Sequence, residues 1–316
     1  MALNLAKTVV EFLKDRPEQR FTTREIAEWI FETYPDECRQ KQQRSKATVI
    51  PLLTDADLVS QIAAEISSQG QRLQSNAPQL KTTDGRPRKY YYSQLTDQDE
   101  VATVETGERV ISAQSPAQPV NEHALYPKLA EFLYSELKVY SKRIDEKKSG
   151  NKQGPGGNKW LYPDMAGMEN LSVEWHQEIV DCVKEYADRK TKLWSFEVKL
   201  LVNRSNVREV FFQAVSNSSW ANLGYLVASE FEGRDTSKEL RILSSLHGIG
   251  VIQLNVDNPT ESQILIPAKE RPDIDWNTAN RLVDENTDFR QYIKLVRQFY
   301  QTNDPRPKDW DFKLDS

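Results

Sequence analysis

Two carboxylates and a lysine are the residues with which this sequence could do chemistry. Asp164 closes the run Lys159-Trp160-Leu161-Tyr162-Pro163, and Glu197 and Lys199 lie inside Leu193-Trp194-Ser195-Phe196-Glu197-Val198-Lys199-Leu200-Leu201-Val202. In an extended strand Trp194, Phe196, Val198 and Leu200 fall on one side, and Ser195, Glu197 and Lys199 on the other. Charges on so apolar a strand are costly unless they are paired. Acidic oxygens converging beside a lysine suit Mg²⁺, or Mn²⁺, hard cations that complete their shell with water and a substrate phosphate. Such an ion acidifies a bound water and neutralises charge building on phosphorus. In this reading Asp164 and Glu197 hold the metal, and Lys199 positions the water or steadies the pentavalent phosphorus.

Pro163-Asp164, a gap, then Glu197-Val198-Lys199 on a strand resembles the active-site signature of the PD-(D/E)xK nucleases, the restriction-endonuclease-like superfamily. Glu136-Leu137-Lys138, Glu146-Lys147-Lys148 and Asp188-Arg189-Lys190 match the bare triplet too, in contexts that read as a polar helix or a charged turn. Only Glu197-Val198-Lys199 sits in a strand-like run followed by Asn206-Val207-Arg208-Glu209, a capped helix start. That helix is expected to reach about residue 221. The resemblance implies that Gln213 on it supports the site, although Asn217 stands where some branches carry a tyrosine. It also implies a helix carboxylate beside the metal, for which Glu131 is the choice over Glu136. The implied activity is a Mg²⁺-dependent endodeoxyribonuclease of restriction or defence type, hydrolysing phosphodiester bonds in double-stranded DNA. Cutting both strands with one centre per chain would suggest a homodimer, though no segment announces an interface.

The elements that must hold these residues occupy 123–316. A helix over 126–144 presents Leu129, Phe132, Leu133, Leu137 and Tyr140. The basic, glycine-rich segment 142–159 reads as a loop contacting the DNA backbone or a solvated surface, Gly167-Met168-Glu169 as a turn, and 175–186 as a segment without a clear assignment. A strand at 225–229 follows, then a helix capped by Thr236 and Glu239 with Leu240, Leu243 and Leu246 and ended by Gly248, and a strand at 249–254. A tail helix over 276–301 carries Phe289, Ile293, Val296 and Phe299. This order predicts an α/β domain with a central mixed sheet flanked by helices, the restriction-endonuclease-like fold that the resemblance implies.

Residues 1–93 read as a smaller α+β domain. Val9, Val10, Phe12 and Leu13 line a first helix; Thr22 and Glu25 box the start of a second with Ile26, Trp29, Ile30 and Phe31; 55–73 form another with Leu58, Ile62, Ile66 and Leu73 inside. Residues 79–83 and 89–92 flank Asp84-Gly85 as a hairpin. Helices followed by a basic hairpin suggest a winged helix-turn-helix. Thr22-Thr23-Arg24-Glu25-Ile26-Ala27 and the wing are similar to the HARE-type winged-helix domains. Candidate DNA contacts are Arg39, Lys41, Arg44 and Lys46, then Gln61, Gln69 and Arg72 on the third helix, and Arg86, Arg88 and Lys89 in the wing. A winged helix used for protein contacts remains the other reading. Residues 94–122, acidic and without lasting periodicity, read as a flexible linker.

At 316 residues the chain is long enough for two domains, and a net charge of −5 excludes a uniformly basic nucleic-acid coat. No apolar run approaches the ~18 residues of a membrane span. The opening residues read as an amphipathic helix and not a secretory signal, so a cytoplasmic protein is expected. Cys38 and Cys182 form no C-x-x-C, and His123, His176 and His247 are scattered, which favours packing or surface roles for all five. The competing class is a non-catalytic DNA-binding transcriptional regulator that keeps a nuclease-like fold as scaffold or sensor; a third is an interaction module that never touches DNA.

Overall fold

A computed structural model describes residues 4–17, 19–44, 54–83, 85, 87–106, 121–150, 158–185 and 189–312, with backbone alone at 41–44 and 184. The described residues divide into two units, 1–100 with 232–234, and 101–231 with 235–316.

The first unit opens with α1 (Leu5–Lys14), β1 (Phe21–Thr22), α2 (Thr23–Thr33), α3 (Pro35–Arg44) and α4 (Asp55–Asn76). Reciprocal capping boxes start two of these helices. Thr22 with Glu25 begins α2, and Thr54 with Asp57 begins α4, each pair satisfying two otherwise orphaned backbone donors. Val9, Phe12, Leu13, Ile26, Ile30, Leu58, Ile62 and Ile66 form one core. β2 (Leu80–Thr82) and β3 (Lys89–Tyr92) pair antiparallel, and β1 adds to β3, giving the order β1-β3-β2. Tyr90 from β3 lies so close to α4 that a Cβ on Gly70 would come within 2.8 Å of its hydroxyl.

The stretch read as a linker begins instead with a helix, α5 (Asp97–Glu105). The Thr96 hydroxyl caps it by accepting the Asp99 N–H. Glu100, one turn in, is fully buried and pairs with Lys81 at 2.9 Å, while Lys81 also binds Asp97. Two acids of that stretch, Asp97 and Glu100, thus share a cationic partner on β2. Residues 107–120 of that stretch lie outside the described residues.

The second unit is a mixed six-stranded sheet with helices. It comprises α6 (Glu122–Leu137), β4 (Val139–Arg143), β5 (Met165–Asn170), α7 (Gln177–Glu185), β6 (Thr191–Val202), α8 (Val207–Asn217), β7 (Leu223–Phe231), α9 (Arg234–His247), β8 (Gly250–Gln253), β9 (Gln263–Ile266), α10 (Trp276–Glu285) and α11 (Thr287–Thr302). The strand order is β4-β5-β6-β7-β8-β9, parallel only at β6–β7 and β7–β8. Central β6 and β7 are buried along nearly their whole length. Trp194, Tyr225 and Phe196 stack on one another across them.

Several expectations about local structure change. The helix over 126–144 begins earlier and stops at Leu137, because Lys138 takes a left-handed conformation (φ 56°) and the chain leaves as β4. Gly167 does not turn the chain; it sits mid-strand in β5, where a Cβ would crowd the side chains of Val139, Phe196 and Trp194. Residues 175–186 contain α7. Thr236 lies inside α9, not at its start, and Leu246 is 71% exposed. Gly248, with φ +76°, follows α9 as expected. The tail is two helices, broken at Asn286, whose side chain accepts from the N–H groups of Asp288 and Phe289. β9 had no counterpart in the sequence reading. No described helix is long and apolar enough to cross a membrane.

Candidate active site

Sheet register explains how Asp164 meets the central strand. β5 begins at Met165 opposite Phe196, so the backbone of β6 beyond that pair has no β5 partner. The Val198 N–H is taken instead by the Asp164 carboxylate, Oδ2 accepting at 2.7 Å. Asp164 is itself tethered from behind, its carbonyl accepting from the Ile144 N–H at 2.9 Å just after β4.

Glu197 and Lys199 share a face of β6, and the Lys199 ammonium donates to Glu197 Oε1 at 2.7 Å and to the Val198 carbonyl at 3.1 Å. It lies 3.9 Å from Asp164 Oδ2 and 3.9 Å from Glu122 Oε2. The three predicted residues, Asp164, Glu197 and Lys199, are therefore brought together. Side-chain exposure grades across them, from 2% at Glu197 through 13% at Lys199 to 23% at Asp164, so the cluster opens toward solvent on the aspartate side.

Burial, then the neighbouring Glu197 carboxylate, pushes Asp164 well above the usual carboxylate range, against the pull of Lys199. Burial likewise raises Glu197, opposed by Lys199 and by the Asn217 hydrogen bond. Burial acts to lower Lys199, but the carboxylates of Asp164, Glu197 and Glu122 outweigh it and hold the ammonium protonated above its ordinary range. A single ammonium thus serves three acids.

Gln213 points to this region without touching the acids. Its Nε2 donates to the Lys159 carbonyl at 3.0 Å. Asn217, one turn on, donates to that same carbonyl and to Glu197 Oε2 at 2.9 Å. In the sequence Asn217 marks only a departure from the tyrosine of some branches; the signal for a place at the site is its i+4 spacing from Gln213, which puts both on one helix face. The expected cap is also absent: Asn206 makes no side-chain cap bond, using its amide on Leu201 O and its oxygen on Asn203 N, and α8 ends at Asn217.

Glu131 is exposed and takes no part. The α6 acid at the cluster is Glu122, nine residues earlier, about two and a half turns and so on the opposite face. Tyr126 OH donates to Glu122 Oε1 at 2.7 Å and orients it.

A cation site can be tested against these donors. Asp164, Glu197 and the Val198 carbonyl supply hard oxygens, and Gln213 Oε1 and Asn217 Oδ1 are buried acceptors with no hydrogen-bond partner among the described residues. Coordinated water could donate to such orphans. Among the described residues no group of three His, Cys, Asp or Glu side chains converges in a way that could hold a metal. Asp164 and Glu197 alone would leave a Mg²⁺ to keep most of its water, as that ion does when one or two carboxylates bind it.

The candidate DNA contacts of the first unit scatter in kind. Arg39 on α3 and Gln61 and Arg72 on α4 are exposed, whereas Gln69 is half-buried. Gln61 is engaged with Glu65 at 3.1 Å. Arg88 and Lys89 enter β3 half-buried. The side chains of Lys41 and Arg44, and all of Lys46 and Arg86, lie outside the described residues, as do Asp84 of the hairpin and 151–157 of the glycine-rich segment. Cys38 is buried and Cys182 exposed, neither in a disulfide. Compared with known proteins, the chain matches no family model, no curated protein and no solved structure.

Proposed function

We propose that this chain is a Mg²⁺-dependent endodeoxyribonuclease of the PD-(D/E)xK type, with a winged helix-turn-helix in its first unit that holds double-stranded DNA. The observation that carries the reading is the meeting of Asp164, Glu197 and Lys199 at one solvent-open point of a central strand. A purely structural strand gains nothing from an ion cluster that burial makes costly.

Asp164 and Glu197 would hold the ion, with the Val198 carbonyl as a third oxygen. When bound, the ion would acidify a water and offset charge on the phosphoryl oxygens. Lys199, kept protonated by its acidic neighbours, donates a hydrogen bond toward the attacking water or a phosphoryl oxygen. Asn217 and Gln213 fix the geometry, Asn217 by occupying Glu197 Oε2 and both by anchoring the Lys159 carbonyl. Glu122, oriented by Tyr126, adds negative charge next to Lys199.

The test is supercoiled plasmid incubated with purified protein and Mg²⁺ beside Glu197→Ala and Lys199→Ala. Nicking or linearisation by the parent chain, reduced at least ~100-fold in both variants, is expected; equal behaviour of all three removes the assignment. The pairing of Lys199 with Glu197, and the lack of a three-residue metal group among the described residues, favour, as a second reading, a DNA-binding regulator whose ion cluster is only architectural. That reading expects gel-shift binding with no cutting under any divalent cation.

A further inference from the structure

Beside the acid pair lies a cation that no carboxylate among the described residues claims. Arg143 closes β4 directly opposite Met165, the residue after Asp164. Its guanidinium lies over the Tyr126 ring at 4.2 Å and donates to His123 Nδ1 at 2.6 Å. It forms no ion pair among the described residues, and its Nε is buried without a hydrogen-bond partner there. Tyr126 is shared, since its hydroxyl holds Glu122, the acid nearest Lys199 on α6. Arg143 and the acid cluster are thus one aromatic ring apart.

The protonation pattern follows from the contact. A guanidinium has only donors, so the Nδ1 that it meets must be unprotonated, and the proton of the neutral imidazole is on Nε2. His123 is exposed. The pair therefore offers a half-buried delocalised cation and, next to it, the imidazole N–H of an exposed histidine. That combination recognises an anionic oxygen.

We propose that Arg143 and His123 form a phosphate-binding subsite flanking the acid cluster, one that takes a non-bridging oxygen of the backbone phosphate next to the bond to be cut. The ligand's identity rests on the nuclease reading above; its anionic phosphate chemistry rests on Arg143 and His123.

The test uses the full chain in EDTA, where no metal-dependent cutting occurs, and follows imidazole resonances by NMR. The probes are inorganic phosphate, a tetranucleotide without terminal phosphates, and chloride at equal ionic strength. The His123 signal, assigned by its loss in His123→Gln, should move with phosphate and with the tetranucleotide but not with chloride. Arg143→Gln should weaken both responses about tenfold. A response to inorganic phosphate alone would make this a free-phosphate site and overturn the backbone assignment. A His123 signal indifferent to both phosphate probes, or an unchanged response in Arg143→Gln, would reduce the pair to packing on Tyr126. Should Arg143→Gln not fold, Arg143→Lys is read in its place with the same expectation, because an ammonium lacks the planar fork. Plasmid cleavage separates the two claims. A phosphate response in a chain that cuts nothing sinks the nuclease and keeps an anion site, whereas cutting by Arg143→Gln with an unchanged KM sinks the subsite and keeps the nuclease.

Discussion

Asp164 and Glu197 are carboxylates that the fold would rather keep protonated, and that tension can be measured. Burial and the facing Glu197 hold Asp164 above its ordinary range, so the folded chain binds this proton more tightly than the unfolded chain does. The resulting stabilisation is complete below about pH 4, the ordinary aspartate value, and is lost as pH rises through the raised folded value. Asp164→Asn keeps an oxygen for the Val198 N–H but cannot ionise. It should melt a few degrees higher than the parent at pH 7.5, with the gap closing toward pH 4, while plasmid cutting is lost. A lower melting temperature at pH 7.5 would show that the carboxylate is held by attraction and not strained by burial. Mg²⁺ bears on the same residues: a cation that binds only the folded chain raises its melting temperature. Titrating Mg²⁺ should therefore stabilise the parent and leave Glu197→Ala unmoved.

Single residues also decide where elements end. The stretch from Trp276 to Thr302 has one unbroken helical periodicity in its apolar residues, yet Asn286 divides it. Its side chain caps α11 through two backbone N–H groups and donates to the Asp145 carbonyl at 2.9 Å, all while 1% exposed. Asn286→Ala removes the cap and leaves that carbonyl without its donor. It should cost about 2 kcal/mol, a fall of roughly 5 °C in thermal melting. A change within about 0.5 kcal/mol, the level of an ordinary surface substitution, would mean that α10 and α11 are held by packing alone.

Over the whole chain the charge is acidic, and DNA binding would have to come from local cations, those of the first unit among them. Affinity for duplex should fall steeply with salt, and Arg72→Gln, which removes an exposed cation of α4, should reduce the slope of log K against log salt by about 0.9. Chelator should leave that binding intact and abolish cutting. Affinity that ignores salt would exclude phosphate contacts and return the first unit to a protein-binding role.

What the residues determined alone is whatever short-range periodicity and capping encode. The alternation of 193–202, the Thr22–Glu25 box, the hairpin around residues 80–92 and the glycine after α9 are local signals, and the described structure carries each of them. The same alternation put Glu197 and Lys199 on one face. Only tertiary structure decided the rest, because it depends on neighbours distant in the chain. Gly167 looks like a turn until Val139, Phe196 and Trp194 close over it, and β5 lacks the β-branched residues that announce a strand. Glu131 and Glu122 are equally acidic in sequence; helix phase relative to β6 makes Glu122 the neighbour of Lys199. Asn217 binds Glu197 across 20 residues and Arg143 reaches His123 across 20, contacts for which composition has no signature. Asp164 meets β6 because β5 starts two residues too late to cover the Val198 N–H, a matter of register between strands that no single segment encodes.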